Sequence, residues 1–314
     1  MNKINVLLAV FNGMQFLLDQ IQSIAEQENV HLSLFIADDG SNDGSIDAIE
    51  SLKAIGAVKH IYFIKTPPNQ GAAKVFLSLL ATALLHPATT HNDLFAFSDQ
   101  DDVWCRDKLI KAHSAIEIFD QQSPVLYGGR TRLVNADLEH IGYSPLFKRL
   151  PSFKNALVQS LMGGNTMVFN YAAAIVIAPD LNQLLHVSMH DWWAYQIVSG
   201  VGGVVIYDEI PFIKYRQHGN NLLGANTGFV SRIRRFVRLM RGEYKRVNHV
   251  NIKILQSKLR SLSLENQHSL HYYLLASNAN RYFTKTKYFR LSGVYRQSAA
   301  QNMMLWFACI SKKL

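Results

Sequence analysis

Over its first hundred residues the chain alternates short apolar runs with stretches of helical periodicity, which commits it to a sheet whose strands are joined by crossover helices. Residues 4–10, 32–37, 61–64 and 94–97 read as strands. Between them Leu17, Leu18, Ile21, Ile24 and Ala25, then Ile46, Ile49, Leu52 and Ile55, recur at helical spacing. A third helix over 72–85 follows the turn-rich Pro67-Pro68-Asn69-Gln70-Gly71. In open α/β sheets ligands bind beyond the carboxyl ends of the strands. Asp38-Asp39-Gly40-Ser41 follows the second strand and Asp99-Gln100-Asp101-Asp102 the fourth, so both acidic clusters are expected to face one crevice.

Three carboxylates in four positions at the end of a buried strand invite a cation. Hard ions such as Mg²⁺ and Mn²⁺ take one or two protein carboxylates and fill their shell with water and phosphate oxygens. No G-x-G-x-x-G follows the first strand and no G-x-x-x-x-G-K-[ST] occurs, so phosphate is expected to be handled by metal and not by a glycine cradle. The 12 histidines show no H-E-x-x-H spacing, which removes support for zinc hydrolase chemistry.

Further along, 108–119 and 192–198 read as helices, and 125–127, 167–169, 204–207 and 212–215 as strands. Beyond Gly228 the alternation stops and helix-like segments with basic faces take over. The spacing predicts a domain over 1–226 and a basic helical C-terminal region over 227–314 that docks on a membrane or a partner. Net charge is +9, but from Val230 onward there are 17 Lys and Arg against two acids, leaving the front part near −6. The stretch Arg232-Ile233-Arg234-Arg235-Phe236-Val237-Arg238-Leu239-Met240-Arg241 can lie on an anionic membrane surface, pack as a solvated helix on the core, or, less readily, meet nucleic acid. No apolar run reaches the roughly eighteen residues that span a bilayer. The amino terminus shows no signal-peptide pattern, and two cysteines give no disulfide framework, which fits a reducing cytoplasm.

Six segments, in order, carry a resemblance: Ala9-Val10-Phe11-Asn12-Gly13, Ala37-Asp38-Asp39-Gly40-Ser41, Asn69-Gln70-Gly71, Ser98-Asp99-Gln100-Asp101-Asp102-Val103-Trp104, His190-Asp191-Trp192-Trp193, and Tyr215-Arg216-Gln217-His218-Gly219-Asn220-Asn221. Together they resemble family 2 glycosyltransferases of the GT-A fold. The last three are most similar to the bacterial rhamnosyltransferase-type members that build surface polysaccharides. The resemblance spans about residues 3–225. It implies an α/β fold of GT-A type, with a Rossmann-like nucleotide-binding half and a mixed central sheet with helices on both faces.

By that resemblance Val10, Asn12, Asp38, Asp39, Gln70 and Asp99 contact the nucleotide of a dTDP- or UDP-linked sugar. Asp99 and Asp101, with His218, hold Mn²⁺ or Mg²⁺; Arg216 and His218 meet the diphosphate; and Asp191 is the base that deprotonates the acceptor hydroxyl. Trp104, Gly164, Asn165, Trp192 and Trp193 are expected near the donor or acceptor sugar. Several of these residues have a plainer reading beside the functional one. Asp39 fits an Asx-type turn, Asp102 or Asp191 an N-cap, Gly164 a bulge, Trp192 and Trp193 core aromatics, and Arg216 a partner for a core acid.

The implied activity is an inverting, metal-dependent transfer of a sugar to a glycan or lipid-linked acceptor at the cytoplasmic membrane face. Transmembrane helices and a Gln-x-x-Arg-Trp motif, marks of processive synthases in the family, are absent from the sequence, so one sugar or a short unit per encounter is expected. A metal-dependent phosphoesterase or nuclease, and a non-catalytic nucleotide-sugar or polyanion-binding module, are the alternatives.

Overall fold

The computed structural model describes residues 3–54, 58, 60–178, 187–218 and 243–311; the Arg-rich stretch 232–241, the predicted boundary at Asn226 and the segment Gly219-Asn220-Asn221 lie outside them. The chain runs β1 (Lys3–Val10), α1 (Met14–Ala25), β2 (His31–Asp38), α2 (Ser45–Ala54), β3 (Ile61–Lys65), α3 (Ala72–Leu85), β4 (Leu94–Ser98), β5 (Val103–Trp104) and α4 (Lys108–Ile116). It continues with β6 (Val125–Gly129), β7 (Arg132–Val134), β8 (His140–Tyr143), α5 (Phe153–Ala156), a 3₁₀ turn at Gly164–Thr166, β9 (Val168–Asn170), α6 (Tyr171–Ile177), α7 (His190–Gly200), β10 (Val204–Asp208) and β11 (Ile213–Arg216). Four further helices follow: α8 (Glu243–Ser257), α9 (Leu264–Asn278), α10 (Tyr282–Ser292) and α11 (Ala299–Ile310).

Seven strands form the central sheet in the order β10-β6-β9-β4-β1-β2-β3. β1, β2, β3 and β4 run parallel, as does β10 with β6, while β9 is antiparallel to both its neighbours. Strands in such a position are covered on both faces and therefore read as continuous apolar runs; Ile4, Val6, Leu7, Leu8 and Val10 are all sealed from solvent. Register sets the site: Val10 pairs with Asp38 and Leu8 with Ser98, so β1, β2 and β4 end at one edge, and the acidic clusters that follow β2 and β4 emerge together. A second sheet, β5-β11-β7-β8, flanks this edge.

Two apolar cores lie on opposite faces of the sheet. One joins α1, α2 and α4 to the strands through Leu17, Ile21, Ile49 and Leu109. The other includes Phe97, Phe76, Trp193 and Val198 and runs on without a break into Ile252, Leu255, Leu270, Phe289 and Leu305 of the C-terminal helices. Buried amides tie the same seam: Gln196 Nε2 donates to Asn248 Oδ1 (2.8 Å), Asn251 Nδ2 to Gln196 Oε1 (3.0 Å), and Asn248 Nδ2 to the Leu157 carbonyl (2.7 Å). The described part of the basic C-terminal region thus packs on the sheet-bearing part of the chain and shares its core.

Candidate active site

Local chemistry shapes the nucleotide end. The Asp38 carboxylate accepts from the N–H groups of Gly40 (2.9 Å) and Ser41 (2.8 Å) and from the Ser41 hydroxyl, closing the turn after β2. Asp39 reaches across to the α3 entry, where its two oxygens accept the N–H groups of Gln70 (2.7 Å) and Gly71 (2.9 Å). It therefore holds the neighbouring loop, and it does not cap α2, whose entry is stabilised by Asp43 accepting from the Ser45 N–H (3.1 Å). Asn12, at φ +47°, accepts from the Asn42 N–H (2.9 Å), and its own N–H reaches the Ser41 hydroxyl (2.8 Å). The Gln70 amide turns back to the Pro67 carbonyl (2.9 Å). Val10, at the end of β1, receives the Asp39 N–H on its carbonyl (2.8 Å).

Gln100 went unnoticed in the sequence, although it locks the two halves of this end together. Its amide pairs with both the N–H (2.8 Å) and the carbonyl (2.9 Å) of Phe11, as a strand neighbour would. A Cβ on Gly13 would stand 2.4 Å from Gln100 Oε1, so that approach needs glycine.

Asp99, Asp101 and Asp102 each offer a carboxylate oxygen, and these atoms lie within 4.8 Å of one another. Burial and the charges of Asp102, Asp101 and Asp191 push the Asp99 carboxyl well above the usual carboxylate range. Such a concentration of like charge, with Asp99 raised rather than relieved by a basic neighbour, fits a divalent cation held on oxygen ligands. His218 Nε2 sits 2.8 Å from Asp101 Oδ2, so the histidine expected beside both the cation and the diphosphate stands at the acidic loop, with its ring 4.8 Å from that of Phe16.

Asp102 has a different role. It is fully buried, with Oδ2 accepting from Asn165 Nδ2 (2.5 Å) and Oδ1 from the Arg216 N–H (3.3 Å). It caps no helix: Asp107 stands at the N-cap of α4. Burial first, then Asp101, raise the Asp102 carboxyl to about 7, while Lys108, whose buried amine has no hydrogen-bond partner among the described residues and lies 3.4 Å from the centre of the Trp104 ring, is pushed down by burial to about 7. Trp104 is thus the floor beneath that lysine, 3% exposed, and not a wall of a sugar pocket.

Arg216 is anchored behind the acidic loop. Its guanidinium hydrogen-bonds the Asp101 carbonyl (3.0 Å), the Ala136 carbonyl and the Asp19 carboxylate (2.8 Å), and its side chain is 3% exposed. It clamps the acidic loop from behind.

The 3₁₀ turn Gly164–Thr166 links the acidic loop to α7. Asn165 donates to Asp102, and the Gly164 N–H hydrogen-bonds the Asp191 carboxylate. Asp191 Oδ1 also accepts from the Trp192 N–H (2.7 Å), so it does engage the first turn of α7 while its charge is felt at Asp99. Burial raises the Asp191 carboxyl to about 6 against these backbone hydrogen bonds. Beside it His190 stacks on Phe76 (4.1 Å), and burial pushes its imidazole down to about 3, leaving it neutral. A Cβ on Gly164 would press on His190 Nε2, so the turn is packed too closely there for a side chain.

Trp192 and Trp193 are core aromatics, 3% and 0% exposed. Their indole N–H groups donate to the carbonyls of Ala156 (2.7 Å) and Ile177 (2.8 Å), leaving no ring face for a sugar. The reason is that α7 is buried on nearly every side, polar residues such as Gln196 and Ser199 included, and runs through the core. Asn165, likewise, spends its amide on Asp102.

The structure thus brings Asp39, Asp99, Asp101, His218 and Asp191 to one edge of the sheet and places Trp104, Trp192, Trp193 and Arg216 behind it. Residues 5–176 match the family model described as glycosyl transferase family 2. Over 241 residues, 73% of this chain and 77% of the relative, the sequence is 28% identical to the dTDP-rhamnosyl transferase RfbG of Shigella flexneri. Among solved structures, TarS of S. aureus in complex with UDP is similar with a TM-score of 0.56 at 14% identity, covering 99% of this chain and 80% of that one. The mannosyltransferase PcManGT from Pyrobaculum calidifontis, in complex with GDP-Man and Mn²⁺, is similar with a TM-score of 0.51 at 15% identity, covering 99% and 85%. The architecture is that of GT-A glycosyltransferases.

Proposed function

The chain belongs to glycosyl transferase family 2, and we propose that it moves rhamnose from a dTDP-linked donor, with inversion, to a hydroxyl of a glycan or lipid-linked acceptor during surface polysaccharide synthesis. The Shigella flexneri relative named a dTDP-rhamnosyl transferase supports the donor, and the mannosyltransferase structure with GDP-Man and Mn²⁺ supports a divalent ion. The observation that carries the reading is the juxtaposition of the Asp99-Asp101 pair with Asp191, a buried carboxylate at a helix start whose charge reaches the pair.

The chain's residues divide the work. Asp191, held by the N–H groups of Trp192 and Gly164, takes the proton of the acceptor hydroxyl as its oxygen bonds to the anomeric carbon and the bond to the diphosphate oxygen breaks on the opposite side. A carboxyl raised to about 6 is ionised at neutral pH and is a better proton acceptor than an ordinary one. Asp99 and Asp101 would hold the cation, which when bound supplies Lewis-acid stabilisation of the leaving nucleoside diphosphate. His218, paired with Asp101, orients that carboxylate and can meet a phosphate oxygen when protonated. Each Asp39 oxygen keeps a second lone pair for a base or ribose donor while it fixes the loop at Gln70 and Gly71. The acceptor is placed at the cytoplasmic face of a membrane; among the described residues no helix is long and apolar enough to cross one.

The test is thermal stabilisation by ligand. Mn²⁺ with dTDP is expected to raise the melting temperature more than the sum of either alone, and Asp101→Ala to abolish that synergy. Equal shifts with and without metal would overturn the metal-bridged site.

A further inference from the structure

We propose that the hairpin of α10 and α11 is a docking surface for an anionic lipid bilayer. α10 turns Lys285, Phe289 and Ser292 inward, and α11 turns Leu305, Ala308 and Cys309 inward. What remains outside is unusual for a solvated face. Phe283 is 84% exposed, Met303 71%, Phe307 53% and Ile310 42%. Met303, Phe307 and Ile310 recur at i, i+4, i+7, one stripe of α11. On α10 the matching exposed positions carry Phe283, Lys287, Arg290 and Leu291. The two helices meet at Trp306, whose ring lies 4.6 Å from that of inward-facing Phe289 and 5.5 Å from the guanidinium of exposed Arg290.

Charge selects the occupant. From Asn266 to Leu314 the sequence holds seven Lys and Arg and no acid, so the cations of this face meet no carboxylate from their own segment. A second copy docking through the same patch would press like charges together. A nucleic acid would satisfy Lys287 and Arg290 but offers no apolar phase to Phe283 and Phe307. A bilayer with anionic headgroups serves both: phosphates pair with the bases while the phenyl rings and Met303 enter the acyl boundary. Aromatic and aliphatic groups mixed with Lys and Arg on one exposed helix face are the pattern of helices that lie in the interface plane. Membrane contact here involves residues other than the arginine-rich stretch 232–241, and it rests on the reading that the acceptor lies at a membrane.

The experiment is vesicle flotation of the full chain with phosphatidylcholine vesicles, with and without about one third phosphatidylglycerol, at low and high salt. The wild type is expected to float with the anionic vesicles alone and to be released by salt. Phe283→Glu with Phe307→Glu should weaken partitioning at least tenfold, as should Lys287→Glu with Arg290→Glu. All four side chains are exposed, and circular dichroism and donor hydrolysis without vesicles, both expected unchanged, verify folding and a working site. No flotation of the wild type, unchanged flotation of both double variants, or equal binding to neutral vesicles would each overturn the proposal. So would a dimer in sedimentation that the Phe283/Phe307 variant dissociates, or oligonucleotide binding that the Lys287/Arg290 variant loses while flotation persists. Loss of donor hydrolysis in a protein that still floats would instead remove the transferase reading and leave the docking surface standing.

Discussion

Replacing the proposed base should make the protein more stable while it abolishes transfer. The Asp191 carboxyl stands at about 6 against an ordinary 3.8, chiefly through burial. A carboxyl whose folded value is raised holds its proton more tightly folded than unfolded, so it destabilises the fold once pH exceeds the unfolded value. The deficit grows from about pH 4 to pH 6 and is then constant. At about 1.36 kcal/mol per unit it approaches 3 kcal/mol at pH 8 and about half that at pH 5. Asp191→Asn removes the charge and keeps an oxygen to accept the Trp192 N–H, at the expense of the acceptor facing Gly164, so a net gain of about 1–2 kcal/mol at pH 8 is expected. For a chain of this size that is a rise of a few degrees in melting temperature. Calorimetry at pH 8 and pH 5 on wild type and variant should show the gain shrinking at the lower pH. Nucleoside diphosphate release in the presence of acceptor should fall at least 10³-fold, with donor affinity nearly unchanged, and wild-type transfer should decline as pH drops through 6. A variant less stable than wild type at pH 8, or one that retains transfer, would refute both the desolvation argument and the assignment of the base.

Two other changes separate site from scaffold. Asn165→Ala deprives buried Asp102 of its amide donor, which costs about 1–3 kcal/mol; since Asp102 anchors the acidic loop, the Mn²⁺ concentration for half-maximal thermal stabilisation by dTDP should also rise, and an unchanged value would confine Asn165 to scaffolding. Trp193→Phe leaves the Ile177 carbonyl without its indole donor and opens space in the core, so the melting temperature should fall with a loss of about 1–3 kcal/mol while the donor KM stays put; a raised KM with intact stability would return Trp193 to the sugar site.

How legible this was in the sequence depended on whether the information was local. β1, β2 and β4 were readable because buried strands are written as continuous apolar runs, and the acidic clusters that follow β2 and β4 were expected together from the parallel register. β5, β7 and β8 were not, because strands of two to four residues are too short to show a periodicity. α6, the Tyr-Ala-Ala-Ala-Ile-Val-Ile segment, offers no helical stripe since it is pressed between the sheet and α7. In the site, the Asp101 and His218 meeting was anticipated from motif chemistry. The anchoring of Arg216 was not legible, because its partners come from positions 19, 101 and 136, and nothing near it in sequence announces them. Asn165 and Gln100 were unreadable in their bridging roles for the same reason. The tryptophans of α7 fit a sugar face and the core equally well in the sequence, and the choice is made by neighbours from α5 and α6 that cover them.

The continuity of one core through α7 and the C-terminal helices bears on how the chain can be dissected. A protein shortened after β11 would keep every acid of the candidate site yet lay bare the packing partners of Ile252, Leu255 and Leu270, and would strand Gln196 between lost amides. Such a fragment would stick to vesicles, to itself and to plastic through its wounded face. The surface activity of this chain can be read only from single side chains changed on an otherwise whole protein.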